Sequence, residues 1–337
     1  MRVSVVIPSY NVAAFLPQAI ESVRAQTRPV HEVIVVDDGS TDGTGEVAAR
    51  LGAICLRTPS NAGPGAARNL GVRAATGDVV AFLDGDDSWD REHCETTVQL
   101  LERFADVALA HARVRKFGTE TYTPQPPIAL PPGVPSAALL TLLEYNTIPQ
   151  SGVVVRRSVF LEAGGYNESM RYSEDFDLWL RLARRHRFVS TGAVTTNYRV
   201  HGAQATQSRI ALVRGAWEAR RRLWRECSDH PAESRAEIAG ALRRAWEIEL
   251  RIAWRQCDRE LFDTVLAQRD AVPDSEAIHD RWVRRVRRYW SLWVPAMALW
   301  DTLPQRAKNM LKLPVRTLRG RSASPAARGA ARPSSRR

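Results

Sequence analysis

This sequence lacks the features that mark several protein classes. Only four of its 337 residues are cysteines, and none form a CxxC pair. That argues against a disulfide scaffold or a cysteine-rich zinc site and favours a reducing compartment. No run of 18 or more apolar residues occurs, so we expect no membrane-spanning helix. The first ten residues also lack the charged-then-apolar layout of a secretory leader, and we therefore predict a cytoplasmic protein.

Acidic residues are scarce at one end of the chain. Residues 281–337 carry 15 of the 48 Lys and Arg and only one acid, Asp301. Residues 1–280 are mildly acidic, with 33 basic and 36 acidic side chains. Since the basic charge belongs to the tail, the body is a poor candidate for general nucleic-acid binding, and we expect no nucleic-acid partner.

The first third of the chain alternates β-branched runs with helical patterns. The runs predict four strands, at 3–7, 31–36, 53–56 and 78–83. The segments between them predict helices, at 12–25, 43–51 and 65–75. Helices of this length between strands imply βαβ units. We therefore predict an α/β fold with a mostly parallel sheet and flanking helices.

The middle of the chain continues both patterns. It predicts helices at 90–104 and 173–186 and strands at 106–116 and 152–156. The proline-rich stretch 123–135 predicts a surface loop, either a plain connector or a lid that contacts an acceptor. Beyond about Ser208 the sequence becomes almost wholly helical and arginine-rich.

Three predicted strands end in polar residues. The first runs into Pro8-Ser9-Tyr10-Asn11, the second into Asp37-Asp38-Gly39-Ser40, and the fourth into Asp84-Gly85-Asp86-Asp87. Ligands of open parallel sheets bind beyond the carboxyl ends of the strands. We therefore expect the three segments to lie along one edge of the sheet, at a ligand site.

The acidic segment at residues 84–87 is the main observation. In an extended chain, Asp84 and Asp86 point the same way and can converge, and Gly85 lets the backbone turn between them. Converging carboxylates repel unless a cation lies between them, and such oxygen ligands suit Mg²⁺ or Mn²⁺ bridged to a phosphate. The alternative is a solvated acidic turn.

A glycine-containing turn runs into the third predicted helix at residues 61–69, NAGPGAARN. A helix start of this kind favours an anion. Arg68 adds a fixed positive charge suited to a diphosphate or to a pair of carboxylates. The alternative is an ordinary helix start with Arg68 on the surface.

Taken together and in order, these segments resemble a family of enzymes. VSVVIPSYN, VIVVDDGSTDGT, NAGPGAARN and LDGDDSW, followed by YSEDFDLW and YRVH, resemble a family 2 glycosyltransferase of the GT-A fold over roughly residues 1–205. The resemblance implies transfer of a sugar from a nucleotide diphosphate donor to an acceptor hydroxyl, with inversion. QxxRW and the membrane spans of processive synthases are not evident, which favours addition of one sugar or a few.

The resemblance also implies roles for residues of this chain. Pro8, Tyr10 and Asp38 would frame the base and ribose, with Asp38 accepting an imide N–H. That contact makes a UDP-sugar the default donor and leaves a dTDP-sugar open. Arg68 would lie near the base or the diphosphate, and Asp84 would face the ribose or metal.

The remaining implied roles concern catalysis and the divalent cation. Asp86 would ligate Mg²⁺ or Mn²⁺, with Asp87 as a neighbour, and His201 would ligate the metal, touch the diphosphate or be structural. Asp175 would be the general base that takes the proton of the acceptor hydroxyl. Glu174 would hold acceptor or loop groups, the alternative for both acids being charge at a helix start.

The resemblance does not reach the C-terminal third. We predict a catalytic domain at 1–205, a helical region at 206–313 and a disordered basic tail at 314–337. Within 281–313, aromatic residues share a helix face and arginines occupy the rest, which favours an anionic membrane surface over a packed helix. That placement fits a peripheral enzyme on the inner face of the cytoplasmic membrane and a glycan or lipid-linked acceptor, in cell-surface glycan or lipid-linked oligosaccharide synthesis.

Two other function classes compete with glycosyl transfer. Sugar-nucleotide nucleotidyltransferases share a similar nucleotide-binding layout, but they usually carry a GxGTRL-like signature near the first strand. This chain has IPSYNVAAF there. A non-catalytic membrane-binding or nucleic-acid-binding protein would explain the basic tail but not the acidic segments.

Overall fold

The computed structural model describes most of the chain, namely residues 1–119, 121–124, 129–202, 208–228, 231–256 and 258–273. The predicted amphipathic segment 281–313 and the predicted disordered tail 314–337 lie outside the described residues. Both therefore stay predictions.

Eight strands form one sheet in the described part of the chain. In chain order, β1 to β8 are Val3–Ser9, Glu32–Asp37, Ile54–Arg57, Val79–Phe82, Ser88–Trp89, Val107–Gly118, Val153–Arg156 and Arg187–Val200. Their order across the sheet is β3-β2-β1-β4-β7-β6-β8-β5. The first four strands are mutually parallel, β7 is antiparallel to both β4 and β6, and β6 pairs in parallel with β8.

Ten α-helices accompany these strands in the described residues. In chain order, α1 to α10 are Leu16–Arg24, Thr44–Arg50, Pro64–Ala74, His93–Arg103, Leu139–Glu144, Arg157–Glu162, Glu174–Ala183, Arg209–Glu226, Ala232–Arg255 and Arg259–Leu266. All seven residues of β1 are buried, because this strand lies in the interior of the sheet and α3 packs on it.

The predicted α/β fold, with flanking helices and a helical C-terminal region, is confirmed. Each strand predicted in the first third is present, with bounds that differ by at most two residues. In the order β3-β2-β1-β4, β2 and β3 lie on one side of β1 and β4 lies on the other, so the strand order reverses between β1 and β4. Ligands of open α/β sheets bind at such a point, and the acidic segment 84–87 follows β4.

The C-terminal helices pack on earlier helices of the chain. Helix α9 packs against α5, and α8 packs against α7. Trp217 on α8 is fully buried, and its indole N–H donates to Glu249 Oε2 at 2.7 Å. Within the residues that the structure describes, no helix is both long and apolar enough to cross a membrane.

Candidate active site

The acidic segment after β4 is a tight turn. The backbone N–H of Asp87 donates to the carbonyl of Asp84 at 3.0 Å. The turn expected at Gly85 is therefore present, and the extended geometry assumed for Asp84 and Asp86 does not apply. A Cβ on Gly85 would lie 2.8 Å from Ser9 Oγ, so only glycine fits where the turn packs against the end of β1.

The three carboxylates of this turn have different partners. Asp84 Oδ1 accepts from Arg68 Nη2 at 2.7 Å, and Asp86 Oδ2 lies 2.9 Å from His201 Nε2. Asp87 is buried and accepts from Ser151 Oγ at 2.6 Å and from the Arg199 backbone N–H at 2.9 Å. Asp87 thus anchors the turn to the end of β8, while Asp84 and Asp86 stay partly exposed.

The turn concentrates negative charge. Burial and the neighbouring charge of Asp84 raise the pKa of Asp86, although His201 opposes the shift. Burial and the charges of Asp86 and Asp84 raise the pKa of Asp87 further above its ordinary value. A cation at the turn would relieve this repulsion.

The side chains at the turn fit a divalent cation that takes some of its ligands from the protein and the others from a substrate and water. Within the described ranges, no three His, Cys, Asp or Glu side chains are grouped as a metal site. Asp86 and His201 are nevertheless in contact and could supply two ligands. Mg²⁺ is usually held by one or two carboxylates together with substrate phosphates and water, so two protein ligands are sufficient.

Asp38 holds the glycine-containing loop. Its Oδ1 accepts from Thr58 Oγ1 at 2.8 Å and from the Ala62 N–H at 2.9 Å, and its Oδ2 accepts from the Gly63 N–H at 2.8 Å. Both carboxylate oxygens are therefore engaged at the start of α3. The sequence predicted Asp38 as the acceptor for a nucleotide base, and that role stays a prediction.

The segment after β1 supplies an exposed ring. Pro8 is buried within β1, paired with Val36, whereas the side chain of Tyr10 is 48% exposed. The Asp38 N–H donates to the Ser9 carbonyl at 2.8 Å, which joins the ends of β1 and β2. Tyr10 thus presents its ring at the predicted edge of the sheet, where a base can stack on it.

Arg68 on α3 is buried between two carboxylates. Its Nη2 donates to Asp84 and its Nη1 donates to Glu174 Oε1, both at 2.7 Å. Burial opposes the charged form, but the two carboxylates raise the pKa of Arg68 above its ordinary value. The guanidinium therefore joins the acidic turn to the first residue of α7.

Asp175 lies in the first turn of α7. Ser173 precedes the helix with a φ of +58°, and its hydroxyl donates to the Leu212 carbonyl of α8 at 2.9 Å. Burial and the neighbouring charge of Glu174 raise the pKa of Asp175 to about 7. A carboxylate with a pKa near neutrality is suited to take up a proton at physiological pH.

Two residues with clear roles at this site were not assigned by the sequence. Ser151 Oγ bridges Asp87 and the Asp84 N–H. The Arg199 side chain donates to the Asp86 carbonyl at 2.9 Å and lies between the rings of Phe15 and Phe117. The only sequence signal was the position of Arg199 beside His201 in YRVH, and Ser151 gave none.

A cavity of about 370 Å³ lies beside the start of α7, between the segment that precedes α7 and the first half of α8. Arg171 and Tyr172 line one side, and Arg214 and Glu218 line the other. The cavity therefore begins three residues from Asp175.

Two family models match most of the described chain. The glycosyl transferase family 2 model matches residues 4–162, and the glycosyltransferase-like family 2 model matches residues 136–220. The chain belongs to glycosyltransferase family 2. The matches include the acidic turn, Arg68 and the α7 segment.

Sequence relatives of this family 2 chain are also glycosyltransferases. An uncharacterized glycosyltransferase of Haemophilus influenzae is 30% identical over 190 residues, which cover 55% of this chain and 63% of the relative. The pre-mycofactocin glycosyltransferase of Mycobacterium tuberculosis is 35% identical over 193 residues, which cover 53% of this chain and 38% of the relative. The chain thus spans less than two thirds of the length of either protein.

Solved structures share the fold of this family 2 chain. S. aureus TarS in complex with UDP-GlcNAc aligns with a TM-score of 0.66 at 17% identity, over 86% of this chain and 87% of that one. The mannosyltransferase PcManGT of Pyrobaculum calidifontis, in complex with GDP-Man and Mn²⁺, aligns with a TM-score of 0.56 at 17% identity, over 90% and 88%. At these identities the likeness establishes the GT-A fold.

Proposed function

We propose that this protein transfers a sugar from a nucleoside diphosphate donor to an acceptor hydroxyl, with inversion at the anomeric carbon. The observation that carries the proposal is the Asp84–Arg68–Glu174 contact, because it brings the acidic turn and the first turn of α7 into one site. Family membership supports the reaction class.

The donor would lie across the ends of β1, β2 and β4. Tyr10 would stack on the base, and Asp86 and His201 would hold a divalent cation, Mg²⁺ or Mn²⁺, near the donor diphosphate. When bound, that cation offsets the negative charge of the departing diphosphate. A UDP-sugar is the proposed donor, supported by the fold shared with TarS, which binds UDP-GlcNAc.

The acceptor would approach from the side of α7. Asp175 accepts the proton of the acceptor hydroxyl as the oxygen attacks the anomeric carbon. The bond from that carbon to the diphosphate oxygen breaks on the opposite face, which inverts the configuration. The cavity between Tyr172 and Arg214 is the proposed acceptor entrance, because it opens beside this helix start.

Peripheral membrane attachment is a further part of the proposal. It rests on the sequence of 281–313, where arginines and aromatic residues alternate at helical spacing. Such a segment suits an anionic lipid surface, and a lipid-linked acceptor would be met there.

Thermal unfolding with a panel of UDP-, dTDP- and GDP-sugars, with and without Mn²⁺, tests the donor proposal. A donor at about 100 times its Kd should stabilise the fold by about 2.7 kcal/mol, because it binds only the native state. We expect a UDP-sugar to do so with Mn²⁺, and Asp86→Ala to lose the Mn²⁺-dependent part. Absence of stabilisation by any nucleotide sugar would contradict the proposal.

Product analysis separates the proposed reaction from nucleotidyl transfer. Glycosyl transfer releases a nucleoside diphosphate, whereas a sugar-nucleotide nucleotidyltransferase forms or consumes pyrophosphate. We expect a nucleoside diphosphate as the product.

A further inference from the structure

Arg68 is buried and bonded to two carboxylates at once. Its guanidinium is buried, with a side-chain exposure of 5%, and it makes one 2.7 Å bond to Asp84 and one to Glu174. The centre of the Tyr166 ring lies 5.5 Å from Arg68 Cζ, and Arg68 Nε has no hydrogen-bond partner. Both terminal nitrogens, Nη1 and Nη2, therefore already bind carboxylates and not a phosphate.

The two carboxylates come from distant parts of the chain. Asp84 belongs to the turn after β4, and Glu174 begins α7, 106 residues after Arg68. The start of α3 also packs on Glu174, since a Cβ on Gly65 would lie 3.4 Å from Glu174 Cγ. Arg68 therefore links the acidic turn after β4 to the helix that carries Asp175.

We propose that Arg68 is a positioning residue: its paired bonds to Asp84 and Glu174 fix the start of α7, and with it Asp175, against the acidic turn. This inference rests on the proposed function, and it assigns Arg68 no contact with the donor. A guanidinium suits this role because it holds two carboxylates at once in a rigid planar geometry, which a lysine ammonium does not.

The same link sets the charge around Asp175. Glu174 and Asp84 raise the pKa of Asp175, and Arg68 lowers it. The buried phenol of Tyr166 also faces this group, and its own pKa is raised chiefly by burial. Removing the charge of Glu174 while keeping its shape should therefore make Asp175 a carboxylate at lower pH.

Two variants separate geometry from charge. In Arg68→Lys the charge stays but the paired bonds are lost, so we expect kcat to fall by about 10- to 100-fold through misplacement of Asp175. The donor KM should stay within about threefold, because the residue does not touch the donor. Arg73→Lys makes the same change at an exposed site on α3 and should leave both constants unchanged.

In Glu174→Gln the amide oxygen can still accept from Arg68, but the negative charge beside Asp175 is gone. We expect the acid limb of the kcat profile to move to lower pH by about one unit. The midpoint in Arg68→Lys should stay near that of the wild type, since its charge is retained. If the salt bridge were purely structural, Glu174→Gln would lower the unfolding temperature and leave the midpoint of the acid limb unchanged.

The outcomes are separable. A tenfold or larger rise in donor KM in Arg68→Lys would overturn the proposal, because it would make Arg68 a donor ligand. An acid limb that does not move in Glu174→Gln would also overturn it, because Glu174 would then have no influence on Asp175. In either case wild-type turnover would leave the proposed function intact. If the wild type released no nucleoside diphosphate from any donor, the proposed function itself would fail.

Discussion

Buried charges in this protein fall into two kinds. Most are paired: Arg68 binds Asp84 and Glu174, and Asp177 accepts from Arg181 at 2.9 Å and from Arg222 at 2.7 Å. Asp175 instead bonds the neighbouring Phe176 N–H, and burial raises its pKa to about 7. A carboxylate whose pKa is raised this far, among carboxylates that are paired with arginines, is typical of a functional position.

Asp175→Asn should stabilise the protein at alkaline pH. Because the pKa of Asp175 is raised to about 7 in the folded state, its contribution to stability is fully present only below the pKa of the unfolded chain, about 3.9. The contribution falls as the pH rises from there and is lost once the pH has passed about 7. An asparagine never ionises, so we expect the variant to exceed the wild type in unfolding temperature by more at pH 8 than at pH 5.

Thermal unfolding at both pH values measures this effect, at about 2–4 °C for each kcal/mol in a large domain. Asp270→Asn makes the same change at an exposed carboxylate and should show no such pH dependence. An Asp175→Asn variant that is no more stable than the wild type at pH 8 would argue against a buried charge there.

At the scale of elements, α3 lies unusually close to the sheet. A Cβ on Gly71 would lie 2.4 Å from Val6 Cγ1 of β1 and 3.2 Å from Val36 of β2. The glycine lets α3 approach these strands. Since α3 carries Arg68, this close packing also sets where the guanidinium meets its two carboxylates.

Substitution by alanine at two glycines within helices should change the free energy of unfolding in opposite directions. Gly71→Ala should destabilise the fold by about 1–3 kcal/mol, because the methyl group overpacks α3 against β1. Gly240→Ala in α9 would meet only the flexible end of Arg244, so higher helix propensity should stabilise by about 0.5–1 kcal/mol. Chemical denaturation of both variants tests the pair, and equal effects of the same sign would contradict this account of the packing.

The elements that could be predicted are those with a local signal. Strands β1 to β4 show β-branched runs bounded by turns, and α7 shows an apolar face. Strand β8 was missed because its sequence, RFVSTGAVTTNYRV, is polar and contains Gly192. It owes its extended form to pairing along β6, a contact between residues 80 or so apart that no local pattern reveals.

The site was predictable to a similar degree. Asp84, Asp86 and Asp175 could be named as candidates because their motifs are local. The Arg68–Glu174 bond joins residues 106 positions apart, so only the folded chain shows it. The engagement of Asp38 by the Ala62 and Gly63 N–H groups was hidden for the same reason.

At the scale of the whole molecule, the C-terminal helices support the helix that carries Asp175. Buried Arg220 of α8 bonds Glu249 of α9 at 2.7 Å and the Leu143 carbonyl of α5 at 2.9 Å. Its guanidinium also lies 5.2 Å from the Phe176 ring of α7. Helices α8 and α9 are therefore part of the structure that holds α7, and with it Asp175, in place.

Two truncated chains test which C-terminal segments are needed for folding and which for membrane binding. A chain that ends after Pro273 should unfold cooperatively and keep donor turnover, but should no longer sediment with vesicles that contain anionic lipid. A chain that ends at residue 207 should fail to fold, because it exposes the apolar faces of α5 and α7. Vesicle binding retained after removal of residues 274–337 would refute the membrane role of the tail.

The most direct test of the shared donor and base site is turnover by Asp175→Asn, measured in the same sample as its donor affinity. We expect release of nucleoside diphosphate to fall by at least about 100-fold, the usual scale of a lost general base. Donor Kd should stay within about threefold of the wild-type value, because Asp86 and His201 are untouched. Turnover close to that of the wild type would show that Asp175 is not the base and that the two acidic segments do not act as one site.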